Sequence, residues 1–235
     1  MTPLVGGTTV LLVGVMLIRL TVTDAYQRYV RVGMGQWLLL AGVLLALLGA
    51  ATVIGALRGG TTQDADNHDH DDHEHHDRIG WLLLVPVLAL LLVVPPALGS
   101  FGVDRSRVSA APAGAGEFRP LPVGSQAHSM TMLEFDQRAF DHDGSSLRGA
   151  QLRITGFVAR PVDGAGFQLA RYQIACCAAD AVAAVARVSG ATAGTPVRDT
   201  WFTVTGTFRG LGADGIPEID ASAIQRVTTP VDPYE

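Results

Sequence analysis

Charge is scarce in this 235-residue chain: Asp, Glu, Lys and Arg make up 17% of it, against about 25% in an ordinary soluble domain. The net charge is −5, so there is no basic footprint of the kind that nucleic acid requires. Cysteine is scarcer still. There are two, Cys176 and Cys177, side by side, which excludes a disulfide framework. Neighbouring Cα atoms lie ~3.8 Å apart, below the ~4.4–6.8 Å that a relaxed disulfide spans, so a reduced pair is expected. No strand–GxGxxG–helix segment and no phosphate-loop pattern occurs, and no serine, histidine and acid are arranged as in a hydrolase. With no nucleophile–base pair and no closed metal site in view, an enzyme is not expected.

What the chain has instead is apolar length. Hydrophobic residues reach 48% and mean hydropathy is +0.29, and the excess is confined to residues 1–98. Three membrane spans are predicted there, at 4–20, 37–57 and 79–98, each long enough at 1.5 Å per residue to approach or cover the ~30 Å hydrocarbon core. Gly42, Ala46, Gly49 and Ala50 in the second give room for close helix contact. Tyr26 and Tyr29, between the first two, stand where aromatic anchors meet headgroups. None of the three spans contains an acid or a histidine. Three spans without intramembrane ionisable ligands argue that this chain is not itself a transporter. Arg19, Arg28, Arg31, Arg105 and Arg107 fall on one side, and Arg58 and Arg78 on the other. The positive-inside rule then places the loop at 61–78 outside the cell and the C-terminal region in the cytoplasm of a multi-pass membrane protein.

That loop contains HDHDDHEHHD, which holds five of the seven histidines in the chain. Neutral imidazole and carboxylate both ligate divalent transition metals. His68, His70, His73, His75 and His76, with Asp69, Asp71 and Asp72, can supply several alternative ligand sets of modest affinity and fast exchange. Zinc is the first expectation, being common and suited to imidazole plus carboxylate. The plain alternative is a low-complexity linker whose imidazoles are incidental.

Beyond the spans, residues 99–126 are rich in Gly, Pro, Ala and Ser and read as a flexible linker. Residues 127–235 read as a soluble domain. MTMLEF (130–135), LRITGFVAR (152–160), FQLARYQIACC (167–177), WFTVTGTFRG (201–210) and PEIDASAIQRV (217–227) read as strands; AVAAVARVSG (181–190) fits a helix or a strand and is taken as a strand because Gly190 and the Gly/Thr/Pro run close it quickly. Two of them place a glycine after a β-rich run, where a strand must bend. The expected class is an all-β domain, a small antiparallel barrel of OB-like kind.

Within it, Cys176, Cys177 and Asp180 carry ligand chemistry. The spacing is not C-x-x-C, and adjacent side chains on a strand point to opposite faces. Both sulfurs can meet one ion only if the chain turns there. Otherwise two small residues simply end a buried strand. His128 and His142 are isolated and read as solvated or capping groups, and Asp141–Gly144 as a turn. Asp214, Glu218 and Asp220 are expected to be solvated.

The segments GFVARPVDGAGFQLARYQIACCAADA, TWFTVTGTF and IPEIDASAIQRVTTPVDPYE, with YQRYVRVGM between the first two spans, carry a resemblance. The chain resembles the YcgQ-like family of bacterial two-component permease subunits, in which membrane spans precede a CCAADA-containing domain. The matching positions are Gly156, Phe157, Val158, Arg171, Cys176, Cys177, Asp180, Trp201, Gly206, Pro217, Pro233 and Tyr234. The resemblance implies an integral membrane permease as partner, besides membrane lipid, and raises the standing of Cys176, Cys177 and Asp180. The expected function is an accessory or regulatory permease subunit handling divalent metal. A membrane-tethered metal or redox sensor without a transport role is the alternative.

Overall fold

In the computed structural model, residues 3–59, 96–105, 118–124, 126–162, 166–190 and 196–235 are described, with Val85, Leu88, Ala89 and Leu92. The His loop, 61–78, lies outside these residues, as does the third predicted span, 79–98, save the four named and its last three. The chain divides into two units, Met1–Pro96 and Ala97–Glu235.

The first unit contains α1 (Pro3–Val22) and α2 (Gly35–Gly59). Both are long and apolar enough to cross a membrane: 20 and 25 residues rise about 30 and 37 Å. Proline at the first position of α1 costs nothing, because that N–H has no helical partner in any case. The two helices meet through small residues. A methyl group added at Gly14 would lie 2.5 Å from the Ala46 nitrogen and 2.8 Å from the Gly42 oxygen, and one at Gly49 would collide with the Leu11 backbone. The small residues of α2 therefore serve the intramolecular contact. Tyr26, expected as an outward anchor, is buried at the corner between the helices, where its hydroxyl donates to the Val32 carbonyl at 3.0 Å.

The second unit is a six-stranded mixed sheet packed on one helix. Its strands are β1 (His128–Ser129), β2 (Gln151–Val162), β3 (Gly166–Gln173), β4 (Val182–Gly190), β5 (Trp201–Leu211) and β6 (Pro217–Val227). They are ordered β1–β2–β3–β4–β6–β5, and β5 pairs again with β2, so that five strands form a cycle of ladders. The expected purely antiparallel arrangement is corrected here. β1–β2 and β4–β6 are parallel, the latter because the β5–β6 hairpin inserts β6 between β5 and β4. Gly206 sits at a register shift, and a Cβ there would strike the Asp220 carbonyl; one at Gly156 would lie 2.6 Å from the Ala170 oxygen.

The expectation of an all-β domain with a strand over 130–135 is also corrected. Met132–Phe140 is a helix, α3, and only His128–Ser129 is extended. Thr131 accepts a hydrogen bond from the Glu134 N–H at 3.0 Å, satisfying an orphan donor of the first turn. Met132, Phe135, Asp136 and Ala139 are buried at helical spacing.

Alternation along the strands builds two cores. One contains Leu152, Ile154, Val158, Leu169, Ala184, Phe202 and Val204 with Met132 and Phe135 of α3. The other lies on the opposite face, from Phe157, Ala170, Tyr172, Val185 and Trp201, and is covered by Val103, Ile216 and Tyr234. Val103 belongs to a helical turn, Ser100–Arg105, within the stretch read as linker. Leu121 of that stretch packs against the first core, its N–H donating to the Ser146 carbonyl at 2.9 Å. Residues 106–117 lie outside the described residues.

Candidate metal site

Strands β3 and β4 pair up to Gln173 and Val182, and residues 174–181 connect them. Ile174 still packs inward. Beyond it the chain leaves the sheet in a bend and a single helical turn, Ala178–Asp180. Cys177, in extended conformation, caps that turn: its sulfur accepts from the Asp180 N–H, and the Asp180 side chain answers to the Cys177 N–H. The alternation that would set the two thiols on opposite faces has therefore ended before they occur.

Asp180 closes the turn. Its Oδ1 accepts from the Ala175 N–H at 2.8 Å. Its Oδ2 accepts from the N–H groups of Cys176 at 2.9 Å and Cys177 at 3.2 Å. Among the described residues this is the group of three that could hold a metal, with Cys176 Sγ, Cys177 Sγ and an Asp180 oxygen all within 4.8 Å of one another. Two sulfurs bound tetrahedrally at ~2.3 Å would stand roughly 3.8 Å apart, so the ligand atoms need only a small adjustment. Cys176 is exposed and Cys177 half-buried, which leaves the thiols open to an incoming ion.

The electrostatics follow from the same contacts. The Cys176 thiol hydrogen-bonds the Asp180 carboxylate, and with the Cys177 thiol beside it the Cys176 pKa is pushed up to about 11. The same thiol, with the backbone donors, draws the Asp180 carboxyl down to about 2. At neutral pH the turn thus holds a carboxylate anion against a protonated thiol. A cation placed there would meet fixed negative charge and would have to displace protons from sulfur to bind it.

The remaining sequence candidates divide cleanly. His68, His70, His73, His75, His76, Asp69, Asp71 and Asp72 lie outside the described residues. His128 Nε2 donates to the Pro122 carbonyl at 3.0 Å, and His142 Nδ1 pairs with Asp141 at 2.9 Å. Asp214 and Glu218, expected to be solvated, instead grip Arg187 at 2.6 and 2.7 Å.

Sequence reasoning missed the clamp built by Arg171. Its guanidinium donates to the carbonyls of Asp232 and Tyr234 at 3.0 and 3.3 Å, pairs with Glu235 at 3.3 Å and lies 5.6 Å from the Trp201 ring centre. Tyr234 bridges to Tyr172 beside β3. The period-2 pattern of β3 gave no sign of this, because the partner is 61 or more residues away. Of the twelve positions that carry the resemblance, Gly156, Phe157, Val158, Trp201, Gly206, Pro217, Pro233 and Tyr234 are buried, and Arg171 holds the tail. Framework explains these nine. The other three are Cys176, Cys177 and Asp180.

Comparison with known families gives two matches: the DUF1980 N-terminal domain over residues 7–111 and the DUF1980 C-terminal domain over residues 126–235. No curated protein and no solved structure matches the chain.

Proposed function

Because the chain belongs to the DUF1980 family, we propose that it is a membrane-anchored accessory or regulatory subunit of a permease and that it handles a divalent metal, zinc first. The observation that carries the metal part is the convergence of two thiols and a carboxylate on one open turn. The His-rich loop adds a second, degenerate set of ligands. α1 and α2 act as membrane spans, consistent with their length and apolar composition, and 79–98 as a third. The permease role comes from the family resemblance and from the lack of ionisable ligands within the spans. The cycle of five strands acts as a small OB-like barrel. One face of its β2–β3–β4 sheet is covered by the chain's own Val103 and Tyr234.

The test is zinc titration of the full chain in lipid nanodiscs, with two variants. One replaces both cysteines by serine, and the other lacks residues 64–77. Zinc stoichiometry is expected to fall in each variant and to vanish when the two are combined. Absence of zinc uptake by the intact chain at micromolar concentrations would sink the metal reading. In cells that contain the partner permease, deletion of 64–77 is expected to lower zinc accumulation. Unchanged accumulation, with zinc binding intact in the nanodisc, favours the second reading, a tethered metal or redox sensor. The exposure of the Cys176 thiol speaks for that reading.

A further inference from the structure

We propose that the β3–β4 turn is a two-sulfur site for thiophilic d10 cations such as Cd2+, in which Cys176 and Cys177 are the ligands and Asp180 is a positioning residue rather than a third ligand. The inference rests on the metal reading above and narrows it to a ligand class.

The hydrogen-bond pattern separates the roles. Both Asp180 oxygens are already engaged by the backbone, Oδ1 with Ala175 and Oδ2 with Cys176 and Cys177. Those three bonds close the turn and hold the consecutive cysteines on one side of it. To ligate an ion through an oxygen already held by two N–H groups, the carboxylate must give up contacts that define the site. The sulfurs are less committed. Cys176 is exposed, and the sulfur of Cys177 accepts from the Asp180 N–H and lies beside the Cys176 thiol, contacts that a thiolate can keep. A pair of sulfur donors without imidazole, completed by water, selects soft cations over harder ones. The His/Asp loop has the opposite character, being all nitrogen and oxygen. The two sets of ligands therefore sort ions by softness within one chain.

Binding is an exchange that balances. Each S–H bond breaks heterolytically, its electron pair becomes the bond to the cation, and two protons leave to solvent for one divalent ion. The adjacent carboxylate contributes hydrogen bonds to the turn rather than an electron pair to the cation. Its removal should therefore leave the ligand count unchanged.

The experiment is cadmium titration of the full chain in nanodiscs, read by the sulfur-to-cadmium charge-transfer absorption, which histidine and carboxylate do not give. The wild type is expected to saturate at one cadmium with the intensity of two thiolates and to release two protons. Cys176→Ser and Cys177→Ser should each halve the intensity and weaken binding at least tenfold. In Asp180→Asn, whose amide oxygen can still accept from the backbone, the full two-thiolate intensity should remain. Its affinity for cadmium should stay within about threefold of the wild type's. A tenfold or greater loss of affinity in Asp180→Asn, with the two-thiolate intensity and far-ultraviolet dichroism unchanged, would make the aspartate a ligand and overturn the assignment. Equal affinity for zinc and cadmium at the thiols would overturn the ligand class while leaving the metal reading intact. Failure of both ions to bind anywhere on the chain overturns both.

Discussion

At the scale of single residues, the turn at Cys176–Asp180 is governed by one carboxylate. Asp180 is held well below the ordinary range, at about 2, by donors that surround it, while the Cys176 thiol is pushed up to about 11 by the same carboxylate. A folded-state pKa below the unfolded value means that the ionised carboxylate stabilises the turn. That contribution is present above the unfolded value of roughly 4 and is lost as pH falls towards 2. For the thiol, only about a thousandth is thiolate at pH 8. Cys176 should therefore be alkylated slowly by iodoacetamide despite its exposure, with a rate that climbs up to pH 11. In Asp180→Asn the rate profile should shift to lower pH, as mass spectrometry of the labelled peptide would reveal. A wild-type profile with its midpoint near the free-cysteine value of about 8.5 would contradict the thiol–carboxylate contact. The ligand residue types were legible in the sequence, but their convergence was not. It depends on β3 ending at Gln173, before its alternation reaches the two cysteines.

At the scale of elements, the clearest success and the clearest failure of sequence reading have the same origin. β4 was recognised from AVAAVARVSG because Gly190 closes it, and the helix-or-strand ambiguity resolves as a strand, Val182–Gly190. MTMLEF was misread because six apolar-rich residues fit either period. The deciding signal was present in Thr131–x–x–Glu134, a capping arrangement, and in the i, i+3, i+4, i+7 burial of Met132, Phe135, Asp136 and Ala139. In the first unit the tight approach of α1 and α2 depends on glycine at the crossing. Gly14→Leu would drive a side chain into Ala46 and Gly42, and overpacking of this kind costs about 1–3 kcal/mol. Stability of the helix pair, followed by far-ultraviolet dichroism during detergent denaturation, should fall by that amount. Leu44→Ala on the exposed side of α2 should change it little. Equal loss from both substitutions would mean that the small-residue seam is not what joins the helices.

At the scale of the whole molecule, each unit has its own interior, and the second has two. Its second core is closed by a segment after residue 97 and by the C-terminal tail. Val103 and Tyr234 are 2% and 3% exposed there, and Tyr234 also accepts the Leu98 N–H through its hydroxyl at 3.1 Å. Emptying such a position of an aromatic ring costs about 3–5 kcal/mol. Tyr234→Ala should therefore lower the guanidinium midpoint of the second unit, read by Trp201 fluorescence in a chain with Trp37 and Trp81 replaced by phenylalanine. Helicity of α1 and α2 at the same denaturant concentration should be preserved. Loss of both signals together would show that the units unfold as one.

The sequence by itself determined the partition of this protein: apolar, charge-poor helices first, a strand-rich domain after, and residue types able to ligate a metal in two named places. Those features follow from local composition and from the 3.6- and 2-residue periods, which any stretch of chain carries within itself. The tertiary structure alone decided the parallel β4–β6 ladder, the use of Tyr234 and Arg171 to seal the second core, and the meeting of Cys176, Cys177 and Asp180. Each of these depends on partners brought together by strand order or by the point at which a strand gives way to a turn. Pairing over such separations is fixed by which faces must be buried together, and no local pattern records it.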